Sequence, residues 1–405
     1  MTDVESMTNT LSGVLEVTED QVERGLDLHR RLVVVDGSCG TPEIWSEEMR
    51  ANALKLVDEG EDYDSILRAN QALVLKHLAT DPQYKSEYVE ALNRGVSSIT
   101  VTIDHPTLWE TISFWTSMFD RHGDIYLKYT GVDSIRKAKE EGKVAILWYA
   151  QHEADFIGRH LDQWEKLQRI GVRFAHIAHN QRNFYGDGGE EPGDVGLSHA
   201  GIAAVAKLNE LGILIDTSHT GQQTALECAQ YSTDPIVSIH TACRAIFDHP
   251  HNKYDHVLKA IADGGGVVGI YTNFLSRDGI GTLADWLHHV DHAVNLMGIE
   301  HVAIGTETHT TRGEPTEAVK TLHDKWYQAP IHGVKPGEEF YEALTASMDP
   351  ETAAKERFRW EDWPSLTIGL VSRGYSDSDI EKIVSSNWLR LYKDVLDRNL
   401  GTTTS

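Results

Sequence analysis

Eight short apolar runs recur along the chain, and helical patterns separate most of them. They lie at 32–36, 96–103, 144–149, 172–178, 213–215, 235–240, 266–271 and 301–305. Ile213, Leu214 and Ile215 are apolar on both faces of their strand, as a parallel strand covered on both sides requires. Strand and helix alternating eight times point to an α/β protein, a (β/α)8 TIM barrel with helical insertions and a C-terminal helical extension. A doubly wound open sheet would carry Gly-x-Gly-x-x-Gly between its first strand and helix, and none occurs there; Gly264, Gly265 and Gly266 precede a strand instead. Helical patterns are read at 22–31, over most of 42–95 (65–77 among them), and at 108–122, 132–141, 161–170, 201–211, 256–263, 283–297 and 363–398. Residues 1–20 read as a flexible tail and 21–400 as one barrel domain. The stretch from 310 to about 360 has no regular pattern.

A barrel can run to 405 residues when it carries insertions. Sixty-two acidic residues against 37 basic give a formal charge of −25, which excludes nucleic acid and anionic membrane as partners because both call for a positive surface. Three cysteines cannot build a disulfide framework. No apolar run reaches the roughly 18 residues of a membrane span. The acidic, Thr-rich start lacks the apolar core of a signal peptide. A cytoplasmic location is expected from these features.

Enzymes built on parallel strands keep their chemistry at the carboxyl ends of the strands. The polar groups there are Asp36, Ser38 and Cys39; Asp104 and His105; Gln151, His152 and Glu153; His179 and Asn180; Ser218 and His219; His240; Asn273; and Glu307 and His309. A barrel gathers them at one mouth, and imidazoles with carboxylates suit a borderline divalent metal such as zinc. His219 and His240, each ending a buried strand, are the metal ligands expected first. The third is open between Glu307, His152 and Gln151. Glu307 also suits the general base that takes a proton from water, and His179 the donor to a developing oxyanion. His152, Asn180 and His309 are placed to contact substrate. A polar loop at 181–198, with five glycines and Pro192, is long enough to suggest function. Neither Gly-x-Ser-x-Gly nor His-Glu-x-x-His occurs.

Gly212-Ile-Leu-Ile-Asp-Thr-Ser-His219, the glycine-rich segment from Gly188 to Ser198 before it, Arg244-Ala-Ile-Phe-Asp-His-Pro-His-Asn252 and Ser386-Asn-Trp-Leu-Arg390 together resemble motifs of the renal (membrane) dipeptidase family. The resemblance runs over roughly 30–395. It implies a zinc-dependent barrel hydrolase of dipeptides and similar small amides, often a homodimer. His219 and His240 then match the two histidines of one metal site, His179 the histidine at the substrate carbonyl, and Glu307 an aspartate near the water. The chain departs from the family elsewhere. Ser38 and Gly40 stand where the family's His-x-Asp binds a second metal, Gln151 stands at the bridging glutamate, and His251 stands at the substrate-binding arginine. The chain thus looks like a divergent branch that holds one ion more readily than two, zinc first, with manganese or another divalent ion possible.

The reading is a metal-dependent hydrolase that acts on a small amide, dipeptide-like or modified amino-acid substrate through a metal-activated water. The alternatives are a metal-dependent barrel enzyme of another class (lyase, decarboxylase or isomerase) or a catalytically silent relative.

Overall fold

Seven strands form one parallel sheet in the order Ser98–Thr102, Val144–Ala150, Val172–His176, Leu214–Asp216, Val237–Thr241, Val267–Ile270, Val302–Ile304. The eighth expected strand makes a single bridge, Val35 to Ser98. It closes the sheet nonetheless, because Asp36 N–H donates to Ser98 O at 3.1 Å and Gly37 N–H to Ile304 O at 3.0 Å. The computed structural model describes residues 3–12, 14–93, 95–103, 107–273, 275–276, 281–308, 311–312, 318–319 and 363–399. The expectation of irregular chain from 310 to 360 lies almost wholly outside them, as do Asp104, His105 and His309.

Side chains alternate across the sheet, and the alternation sorts them into two cores. Ala145, Leu147, Tyr149, Phe174, Leu214, Val237, Ile239, Val267 and Ala303 fill the barrel interior together with Trp388, Leu391, Tyr392 and Val395. Ile146, Trp148, Ala150, Ala175, Ile213, Ile215, Ile270 and Ile304 face outward into the helical layer. The last helical segment therefore plugs one end of the barrel, and the Trp388 indole donates to Ile304 O at 2.8 Å. The open end is left for a site.

Three elements differ from expectation. Asp3–Leu11 is helical, where a loose tail was expected; Val4, Met7 and Leu11 share one face and pack on the core. Tyr126–Lys128 adds a short strand along the first half of Val144–Ala150. Gln222–Tyr231 forms a helix between two barrel strands. Its cap is distant in sequence: Asp194 accepts from the backbone of Gln223 and Thr224. Among the described residues, no helix is long and apolar enough to cross a membrane.

Candidate metal centre at the barrel mouth

Asp216 ends its strand fully buried, and its carboxylate ties two neighbouring strands together. Oδ1 accepts from Ser218 N–H at 3.1 Å, the Ser218 hydroxyl at 2.6 Å and Ile239 N–H at 2.9 Å. The Ser218 oxygen in turn accepts His240 N–H at 3.1 Å. One buried acid thus fixes the backbone that carries both His219 and His240. Oδ2 meets the Tyr149 hydroxyl at 2.6 Å and His176 Nε2 at 2.7 Å. Burial alone would raise this carboxyl, but the His176 charge and hydrogen bond, aided by His240 and Ser218, hold it below the ordinary carboxylate range. Sequence reasoning missed Tyr149 and His176, which lie within apolar runs and read there as strand interior.

His219, His240 and Glu307 converge, with one donor atom from each lying within 4.8 Å of the others. Glu307 Oε1 is 3.4 Å from Nε2 of both imidazoles. Two donors bound tetrahedrally at zinc distances lie about 3.3 Å apart, so this spacing suits a shared ion. Nδ1 of His219 lies 2.8 Å from Asn180 Oδ1, an atom that only accepts, so Nδ1 carries the hydrogen and Nε2 presents its lone pair. His219 Nε2 and both ring nitrogens of His240 are buried without a hydrogen-bond partner. Buried nitrogens left unpaired are costly, and a cation would satisfy them. Burial, reinforced by neighbouring imidazoles and Lys253, pushes His219 well below the usual histidine range; burial also lowers His240, though Glu307 and Asp216 oppose it. Burial thus favours, in both, the neutral form that ligates metal. The donor set and its unpaired nitrogens fit one divalent ion.

Glu307 has φ of 54°, and no other described non-glycine residue has positive φ. Such a conformation costs on the order of 1–3 kcal/mol and persists only where its surroundings impose it. Asn273 Nδ2 donates to Glu307 Oε2 at 3.3 Å. Beside the turn, burial pushes the Asp36 carboxyl up to about 6, with hydrogen bonds from Thr306, Ser38 and Trp363 opposing the rise.

The remaining expected residues surround this cluster. Gln151 has partners for both amide atoms: Thr102 Oγ1 donates to Oε1 at 3.2 Å, and Nε2 lies 2.8 Å from His179 Nε2. The His179 ring stacks on His219 with centroids 4.1 Å apart and meets the tilted ring of His152 at 4.4 Å. Burial, followed by the neighbouring imidazoles, holds His179 neutral. Asn180, expected to face substrate, spends its side-chain oxygen on His219. His251 is buried against His219, with ring centroids 4.7 Å apart, and its Nε2 lies 3.0 Å from Glu190 Oε1. Glu190 was not singled out from sequence. The 181–198 loop delivers it through Gly189 N–H to His219 O at 2.7 Å and Glu190 N–H to Asn180 O at 3.0 Å. At Gly188 a Cβ would sit 1.8 Å from His179 O, so only glycine permits that approach.

Residues 22–324 match the model of a family described as membrane dipeptidase (peptidase family M19). The uncharacterized protein in the pqqA 5′ region of Klebsiella pneumoniae is 30% identical over 301 residues, covering 71% of this chain and 96% of that protein. Dipeptidase verJ of Clonostachys rogersoniana is 34% identical over 232 residues, 56% of this chain and only 50% of that protein's length. Among solved structures, the probable dipeptidase PvdM from Pseudomonas aeruginosa superposes with a TM-score of 0.67 at 19% identity, covering 94% of this chain and 100% of that one. At that identity the likeness is one of fold.

Proposed function

Because the chain belongs to the membrane dipeptidase family, peptidase family M19, we propose that it hydrolyses a small dipeptide-like amide or modified amino acid with one divalent ion held by His219, His240 and Glu307. The observation that carries the single-ion reading is the convergence of these three donors around unpaired, neutral imidazole nitrogens. No second group of three His, Cys, Asp or Glu donors converges among the described residues. When bound, such an ion supplies a Lewis acid and lowers the pKa of water.

The protein's own groups do the rest. Asn180 fixes the His219 tautomer, and Asp216 holds the two histidine-bearing strands in register. Glu307 would hold the ion through Oε1, which faces both imidazoles, and its other oxygen, Oε2, is the one at hand to accept the proton of the attacking water. With His179 Nε2 facing the Gln151 amide, Nδ1–H is the hydrogen left for a developing oxyanion. His152, His251 and Glu190 border the place where substrate would lie. We read residues 21–400 as one catalytic domain acting as a homodimer, with zinc as the first candidate ion.

Elemental analysis of the purified chain tests this reading. About one divalent ion per chain is expected, with loss of the ion in His219→Ala and His240→Ala. Absence of any bound ion, together with no effect of added zinc or manganese on amide hydrolysis, would overturn it.

A further inference from the structure

We propose that Asp36 is a positioning residue for Glu307, holding the carboxylate in the left-handed turn that aims it at His219 and His240. The proposal rests on the reading that these three side chains hold a metal ion. It starts from the backbone: Glu307 alone among the described non-glycine residues has positive φ. A residue with a Cβ relaxes from that conformation unless its neighbours are held.

Both neighbours are held. Thr306 N–H donates to Asp36 Oδ1 at 2.9 Å, and the Thr306 hydroxyl donates to Asp36 Oδ2 at 2.7 Å. Thr306 O accepts from Thr272 N–H at 3.2 Å and from the Thr272 hydroxyl at 3.0 Å. Beyond the turn, Gly40 N–H donates to Thr308 O at 2.9 Å. Glu307 N–H itself donates to Ser38 O at 2.6 Å. Asp36 is the hub of these contacts, because it also accepts Ser38 N–H at 3.0 Å and the Trp363 indole N–H at 3.0 Å. One buried carboxylate therefore fixes both the residue before Glu307 and the loop that receives the Glu307 amide. Asp36 touches none of the three donors and acts only through the turn.

The rival is that Asp36 merely closes the barrel between its first and last strands. A double-mutant cycle separates the two, because an effect exerted through Glu307 vanishes once Glu307 no longer ligates. The full chain is titrated with Co2+ and read by visible absorption, with circular dichroism to report folding. Asp36→Asn is expected to bind Co2+ about 10–100-fold more weakly, as loss of a group orienting a ligand does, with an altered visible band. In a Glu307→Gln background, Asp36→Asn should weaken binding no further. Thr306→Val should behave as Asp36→Asn does, and Thr306→Ser, which keeps the hydroxyl, as the wild type. Should Asp36→Asn not fold, the two Thr306 variants decide the matter in the same way. Additive losses across the cycle, or wild-type affinity and spectrum in Asp36→Asn and Thr306→Val, overturn the proposal and leave the metal reading standing. A wild-type chain that takes up no Co2+ overturns both.

Discussion

Gln151 and His179 meet through one hydrogen, and the direction of that hydrogen sets what His179 can do. Thr102 Oγ1 donates to Gln151 Oε1, so the amide nitrogen faces the ring and His179 Nε2 accepts. The remaining hydrogen of the neutral ring is then on Nδ1. Gln151→Glu replaces the donor with a carboxylate that only accepts, and His179 must move its proton to Nε2 to keep the contact. The expected outcome is a tautomer change in the 15N spectrum of the ring and a fall in kcat of roughly 100-fold, the lower part of the range for loss of one oxyanion donor. Metal content should stay at one ion per chain. Two ions bound by Gln151→Glu, with activity retained, would show instead that this position only decides how many metals the mouth accepts.

Elements carried the part of the fold that was legible, because their signals are local. The barrel strands announced themselves as runs apolar on both faces, and His219, His240 and Glu307 as polar residues just past such runs. Contacts made across the chain were not legible. The cap on Gln222–Tyr231 comes from Asp194, in the 181–198 loop beyond an intervening helix and strand. His176 pairs with Asp216 from inside an apolar strand. The His251 partner, Glu190, is 61 positions away. The strand Val302–Ile304 shows a further constraint of this kind. It runs into Gly305, where a Cβ would lie 1.7 Å from the backbone oxygen of Ile239. The obstacle is backbone, so no side-chain rotation relieves it, and Ile239 immediately precedes His240. Gly305→Ala is expected to lose at least about 1–3 kcal/mol of stability to overpacking, read as a lowered Tm. It should also shift the visible spectrum of bound Co2+ because the His240 backbone must move. A variant with normal Tm and spectrum would mean that the two strands can separate without disturbing the mouth.

At the scale of the whole molecule, the barrel divides its two ends between stability and chemistry. Trp388, Leu391 and Tyr392 close one end over the interior apolar core, while the other gathers a cluster of imidazoles under limited solvent. That burial has a consequence for the whole folding equilibrium. Burial holds His219 and His240 below the usual histidine range, so the folded chain favours their neutral form at a pH where an unfolded chain would protonate them. Their contribution to stability is therefore present above pH 6.5 and lost as the pH falls below it. A metal ion that binds only the folded chain adds about 2.7 kcal/mol at 100 times its Kd. Because burial favours the neutral form of the folded imidazoles, that ion displaces fewer protons from them near pH 6.5 than it would from exposed histidines. An exposed pair of histidines would release about one proton in total at that pH, being half protonated each. Calorimetric titration of zinc at pH 6.5, in two buffers of different ionisation enthalpy, should give binding heats that differ by less than the buffers' one-proton ionisation difference, after correction for the ion's own buffer binding. The metal-induced rise in Tm should likewise shrink less between pH 7.5 and pH 6.5 than it would for exposed histidines. Release of a full proton, with a Tm increment that shrinks between those two pH values as much as for exposed histidines, would place the ion on histidines open to solvent and not in the buried mouth.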